Sequence, residues 1–248
     1  MKDYPDILDN PVWWSLSTRH NHLAEAHGNA LALPEDLGPF AASRGTHVTD
    51  LADLAMLAQR RLTPALLMSR HVPAGLEAQP FTHGVQMVAD CVPECQLDLN
   101  IAKLTEDDAD QIFALARRTR PGPFERRTHM LGDFIGIKQE GVLVAMAGQR
   151  MKLPGFTEIS AVCVDRGHRG RGLGAALVSQ MAKRIIERGD WPFLHTYADN
   201  KRAISLYEKL GFRLRTGVKL VHLSSDVISS MPSHAFPREQ RVRETTDG

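Results

Sequence analysis

The sequence predicts an α+β protein: a mixed, mostly antiparallel sheet flanked by helices in the second half, preceded by a smaller α/β unit. Three observations predict it. Apolar runs on either side of Gln139-Glu140-Gly141 read as a hairpin, and Pro154-Gly155 turns the chain into a third antiparallel strand. A glycine-rich turn after that strand leads straight into a helical run. Only one further helix and a little strand follow before the chain turns polar, too few βα repeats for a doubly wound parallel sheet.

A chain of 248 residues is long enough for one large domain or two modest ones. A change of pattern near residue 95 divides it into an N-terminal unit, 1–95, a second domain, 96–225, and a polar tail, 226–248. In the first unit, Asn10-Pro11-Val12-Trp13-Trp14 begins an apolar, aromatic opening, and the two tryptophans are expected to anchor the unit to the core. Ser17 to Ala30 is expected to be helical with an interruption at Gly28, and Leu51 to Arg61 is Ala/Leu-rich and helical in character. Ala65–Ser69 and Gly84–Ala89 read as short strands, punctuated by Pro64, Pro73 and Pro80.

The second domain is clearer. Leu97–Leu104 alternates as a strand, and Thr105 caps a helix with acidic residues in its first turn that runs to about Arg118. The hairpin spans Asp133–Lys138 and Val142–Gly148, and Glu158–Val164 is the third strand. A helix from Gly172 to Arg188 stops at Gly189. Pro192–Tyr197 is a strand, Asn200–Leu210 a helix ending at Gly211, and Phe212–Leu223 the last strand or strands.

Composition excludes several classes. A formal net charge of +1 argues against a general electrostatic grip on nucleic acid or acidic lipid. The cysteines, Cys91, Cys95 and Cys163, are too few for a disulfide framework and lack metal-knuckle spacing, so they read as reduced thiols in a cytoplasmic protein. His20, His22 and His27 form no convincing ligand set, and no metal is expected. The first residues resemble no signal peptide, and no apolar run reaches membrane-spanning length.

Chemistry concentrates between Val162 and Ala175. Gly170, Gly172 and Gly174 let the backbone turn tightly and approach a ligand. The helix that follows has unpaired N–H groups and a dipole that favours an anion, so strand, loop and helix end form a pyrophosphate cradle beside Arg169 and Arg171. A dinucleotide fold with Asp199 as its acidic residue is the rival reading, but the antiparallel hairpins and the shortage of βα repeats oppose it. A P-loop is excluded because no Gly-Lys-Ser/Thr follows. A second constellation, Tyr197-Ala-Asp-Asn200-Lys-Arg-Ala203-Ile-Ser-Leu206-Tyr207-Glu-Lys-Leu210-Gly211-Phe212, comes after it.

The pair of motifs resembles the GNAT acetyltransferase superfamily over roughly residues 97–223. Arg169, Gly172 and Gly174 match its Arg/Gln-x-x-Gly-x-Gly/Ala signature, and the second constellation matches Asn-x-x-Ala-x-x-Leu-Tyr-x-x-Leu-Gly-Phe at every fixed position. Glu158-Ile-Ser-Ala-Val-Cys163, Pro192-Phe-Leu-His195 and Ala145-Met-Ala-Gly148 look like the FR47-like branch. Arg166 stands where many relatives have proline, a minor turn substitution.

The resemblance implies a splayed central sheet, acetyl-CoA as donor and CoA as product. It assigns Val162, Cys163 and Val164 to the cofactor strand, with the Val162 amide on the thioester oxygen and Val164 along the pantetheine arm. The amides of Gly170, Arg171, Gly172, Leu173, Gly174 and Ala175 would hold the pyrophosphate, and Asn200 would contact the pantetheine arm as well as cap its helix. Tyr207 lies at the general-acid position. Glu158 is either the general base or a structural hydrogen-bonding group, with His195 as the other candidate base. Cys163 alternates away from the Val162–Val164 face and is not expected to act as a nucleophile.

These features predict an N-acetyltransferase; a non-catalytic acyl-CoA sensor is the alternative. The acceptor is expected to be a small amine, an amino acid or a protein N-terminus, and the sequence leaves a homodimer open. The N-terminal unit is expected to be a degenerate second copy of the same fold, or else a dimerisation or acceptor-closing element.

Overall fold

The computed structural model describes residues 6–74, 76–91 and 99–224. The helices are α1 (Pro11–Ser17), α2 (Val48–Gln59), α3 (Ala109–Thr119), α4 (Leu173–Glu187) and α5 (Lys201–Lys209). The first five strands are β1 (Glu25–His27), β2 (Ala30–Ala32), β3 (Phe40–Ser43), β4 (Ala65–Ser69) and β5 (Phe81–Ala89). The others are β6 (Ala102–Leu104), β7 (Phe134–Gln139), β8 (Val142–Leu153), β9 (Phe156–Val164), β10 (Trp191–Tyr197) and β11 (Phe212–Leu223).

All described strands join one mixed sheet in the order β1-β2-β3-β4-β11-β5-β10-β9-β8-β7-β6. The pairings are antiparallel except β3 with β4 and β9 with β10, which α2 and α4 bridge respectively. Parallel neighbours require such a crossover, whereas the β7–β8 and β8–β9 joints are tight hairpins. The expected α+β class, a mostly antiparallel sheet with flanking helices, is what the chain adopts.

Connectivity in the N-terminal half repeats that of the C-terminal half. β2–β3–α2–β4 follows the same course as β8–β9–α4–β10, and each half ends on a strand that lies beside the other half. β5 pairs with β10, β11 pairs with β4, and β5 and β11 pair with each other at the centre of the sheet. The sequence boundary near residue 95 is therefore no boundary of the sheet.

Three local expectations differ from the structure. Residues Ser17 to Ala30 are not a helix. Asn10 accepts a hydrogen bond from the Trp13 amide and Pro11 takes the first helical position, so α1 begins earlier and ends at Ser17. Beyond it the chain forms the β1–β2 hairpin, where Asp53 accepts from the Asn29 amide at 2.7 Å. The strand expected from Leu97 is only Ala102–Leu104, with residues 97 and 98 outside the described part. The 226–248 tail also lies outside it. Trp13 of α1 packs against the core, whereas Trp14 is 39% exposed.

Apolar packing covers both faces of the sheet. Leu173, Leu177, Met181 and Ile185 of α4 join Tyr207, Leu210 and Phe212 over one face. Val12 and Leu16 of α1 pack with Phe40, Met68, Val88, Phe193 and Leu220 on the other. The second cluster takes residues from both halves, so neither half closes its core alone. We expect chemical denaturation to give one transition, coincident by tryptophan fluorescence and far-UV circular dichroism. Phe193→Ala, which empties a fully buried ring site, should lower the midpoint of both signals together, at a cost of about 3–5 kcal/mol.

Candidate active site

β9 begins as an ordinary strand. Its parallel pairing with β10 runs from Phe156–Trp191 to Ile159–Leu194 and stops there. On its other side the ladder with β8 slips between Met146 and Gly148, and Ala161 sits at φ +51°, a region side chains rarely adopt. Such backbone outliers persist only where the surroundings hold them. The edge of Ser160–Val164 that faces β10 is left with no strand pairing, and a crevice of about 530 Å³ opens beside it.

The crevice passes through the sheet. Leu173, Leu206 and Tyr207 line it from the face under α4 and α5. Met68 and Leu220, from the face under α1, line it together with Arg150. The loop Thr119–Pro123 after α3 forms a further wall.

β9 leads into the glycine loop. Gly170 and Gly172 have φ values of +80° and +75°, so the turn into α4 requires residues without a side chain. The first amide bonded within the helix in this turn is that of Ala176, to the Gly172 carbonyl at 3.1 Å. The preceding amides of Leu173, Gly174 and Ala175 have no carbonyl one turn back to bond. Asp165 steadies the loop by accepting from the Gly167 amide at 3.3 Å and pairing with Arg118. Arg169 donates to the Val164 carbonyl at 3.1 Å, and buried His168 Nδ1 has no hydrogen-bond partner among the described residues. An unpaired strand edge, free helix amides and nearby cations suit an extended amide arm ending in a diphosphate, as the expected acyl-CoA has. Val162, Val164, Arg169, Gly170, Gly172, Leu173, Gly174, Ala175, Asn200 and Tyr207 all line the crevice. So does Cys163, whose buried side chain stays on the protein side. Arg171 does not line it.

Burial pushes the Cys163 thiol up to about 12, which keeps it un-ionised. Burial likewise pushes Tyr207 up to about 12, so its phenol stays protonated at neutral pH. Its ring packs edge-on against Phe212 at 6.1 Å between centroids. Asn200 caps α5 by accepting from the Ala203 amide at 3.2 Å.

Glu158 does not sit as a base should. The side chain is wholly buried, and both oxygens accept from Arg150, at 2.6 and 2.9 Å. Burial raises its pKa, but the Arg150 guanidinium and a hydrogen bond from His195 outweigh that and hold it down at about 2. A carboxylate so held is a poor acceptor of an ammonium proton. His195 Nδ1 lies 2.8 Å from Glu158 Oε1. Its Nε2 lies 3.0 Å from Gln86 Nε2, which also donates to the Leu8 carbonyl at 2.8 Å. Arg215 donates to Gln86 Oε1 at 3.0 Å, which fixes the amide with its nitrogen toward the ring. His195 therefore accepts at Nε2 and donates from Nδ1, so both ring nitrogens are hydrogen-bonded. Sequence reasoning missed Arg150 and Gln86. Arg150 had a weak signal, a charged residue on a strand that begins with an apolar run and lies across a hairpin turn from Glu158; Gln86 had none.

Comparison with known proteins fits this geometry. The FR47-like protein family matches residues 134–221. The N-alpha-acetyltransferase RimI of Mycobacterium tuberculosis is 30% identical over 144 residues, covering 54% of this chain and 86% of the relative. The mycothiol acetyltransferase of Corynebacterium aurimucosum is 40% identical over 62 residues, but the match spans only 25% of this chain and 20% of that protein. Among solved structures, a GNAT-family protein from Novosphingobium aromaticivorans superposes with a TM-score of 0.79 at 37% identity, covering 90% of this chain and 99% of its own.

The buried ion pair makes stability depend on pH. The folded-state pKa of Glu158 lies below the 4.5 of an ordinary glutamate. Its contribution is thus complete above about pH 4.5 and is lost as pH falls toward 2. Glu158→Gln leaves Arg150 buried without its counter-charge and should cost about 3–5 kcal/mol at neutral pH. Urea unfolding across the acid range should show a shallower acid loss in the variant than in the parent.

Proposed function

The chain belongs to the GNAT superfamily and carries an FR47-like domain, and from that premise we propose that it is an acetyl-CoA-dependent N-acetyltransferase, moving the acetyl group directly to a primary amine in a ternary complex. The observation that carries this reading is the unpaired edge of β9 running into the free amides of α4 along one crevice. An extended thioester donor is the kind of molecule that such an edge and such a helix end hold together.

Acetyl-CoA supplies an activated acyl group and a thiolate that must be reprotonated. In this reading the Val162 amide, on the open edge, donates to the thioester oxygen and stabilises the charge that develops there. The amides from Gly170 to Ala175 anchor the diphosphate, with Arg169 and Arg171 adding charge, and so fix where the acyl group lies. Tyr207, a protonated phenol lining the crevice, donates a proton to the departing sulfur. The acceptor's own proton leaves through water in the open crevice rather than to Glu158 or His195, both of which are engaged.

The sensor reading makes a different forecast. An enzyme releases CoA thiol in the presence of a suitable amine; a sensor binds the cofactor tightly and releases none. Tyr207→Phe should lower kcat about 100-fold with CoA affinity by calorimetry unchanged. Equal turnover in the variant would remove Tyr207 from the mechanism, and tight binding without thiol release for any amine would favour the sensor.

A further inference from the structure

We propose that the acceptor is an amine that itself carries a carboxylate, an amino-acid-like molecule, and that Arg150 receives that carboxylate. The inference rests on the acetyltransferase reading and specifies its acceptor.

Among the described residues the crevice lining contains Arg120, Arg150, Arg169, Arg202, His168 and His195, and no aspartate or glutamate. A polyamine or a lysine-rich peptide needs carboxylates to receive its extra charges. This crevice offers none, but offers guanidinium groups in excess of what a diphosphate uses. Arg169 belongs to the glycine loop and Arg202 to α5, on the donor's side of the opening. Arg150 lies elsewhere. Its guanidinium stacks 4.4 Å over the ring of Phe40, in the cluster under α1 that also holds Met68 and Leu220.

Arg150 is built as a receptor. Its residue is 8% exposed, and its Nε and Nη2 donate to the two oxygens of Glu158. Nη1 makes no hydrogen bond among the described residues. Arg150 lines the crevice and Glu158 does not, so an entering molecule meets the guanidinium with the carboxylate behind it. Glu158 is in turn fixed by His195, His195 by Gln86, and Gln86 by Arg215. The fork is thus held in one orientation before the acceptor arrives, with little side-chain freedom left to lose on binding. Arg120, exposed on the rim with no ion pair among the described residues, draws the same anion inward. Met68 and Leu220 leave an apolar surface for the acceptor's side chain.

Matched acceptor sets test this on the full chain with acetyl-CoA. Leucine, methionine and phenylalanine are each compared with their carboxamide and their decarboxylated amine, read as CoA-thiol release and as thermal shift of the CoA-bound protein. The acids should exceed their neutral partners by about 10- to 100-fold in kcat/KM, and they alone should raise the melting temperature of the CoA complex. Because Arg150→Gln alone strands the Glu158 charge, the double variant Arg150→Gln/Glu158→Gln is compared as well. It should bring the acid-to-amide ratio within about threefold, the spread expected without a charged partner. Amides or amines that equal or surpass the acids, a double variant that keeps the preference, or a set that separates in neither measurement would overturn the proposal. Turnover of neutral amines without preference leaves the acetyltransferase reading standing, whereas CoA binding with no thiol release for any acceptor removes that reading instead.

Discussion

The departure of β9 from β10 after Ile159 is the constraint on which the rest of the site depends. Backbone amides on a buried strand edge demand partners, because leaving one unmade is costly in a water-poor setting. Here the sheet withholds the partner strand. The slip opposite Met146 and Gly148 and the left-handed Ala161 hold the separation, at about 1–3 kcal/mol for the strained residue. The same separation creates the crevice and exposes Val162. It also connects the two faces of the sheet, so that a donor held by α4 can meet an acceptor arriving from the side of Phe40 and Met68.

The polar groups behind that crevice extend the same logic. Arg150 and Glu158 are desolvated, and a buried ion pair of this kind adds little net stability over an apolar pair of similar shape. What it provides is orientation. The chain of contacts runs from Arg150 through Glu158 and His195 to Gln86, then to Arg215 and Asp9. Gln86 belongs to β5, the strand that the first half lends to the second. A residue far from the sequence motifs thereby sets the tautomer of a histidine at the crevice.

What was legible in the sequence follows from the range of the interactions involved. The hairpins around Glu140-Gly141 and Pro154-Gly155, the glycine loop and the Asn200 cap are local, and each was readable from neighbouring residues. α1 was misplaced although its start signal, Asn10-Pro11, lies in plain view, because the polar and alanine residues after Ser17 imitate helix composition while forming a short hairpin. The exchange of β5 and β11 was invisible, since no spacing rule links strands more than a hundred residues apart. For the same reason Gln86 carried no signal. The role of Glu158 required its partners: an acidic residue on a strand reads alike whether it meets water or a guanidinium, and only packing shows that Arg150 claims both oxygens.

The exchanged strands also bear on how the protein is made. β4 emerges from the ribosome long before β11, its neighbour in the finished sheet. At roughly 5–20 residues per second the nascent chain spends on the order of ten seconds with that edge uncovered. An uncovered edge is a template for pairing with other chains. The tight interlock seen in the mature fold thus carries a hazard confined to the seconds of synthesis, when early capture by a holding chaperone would matter more than the final stability of the sheet.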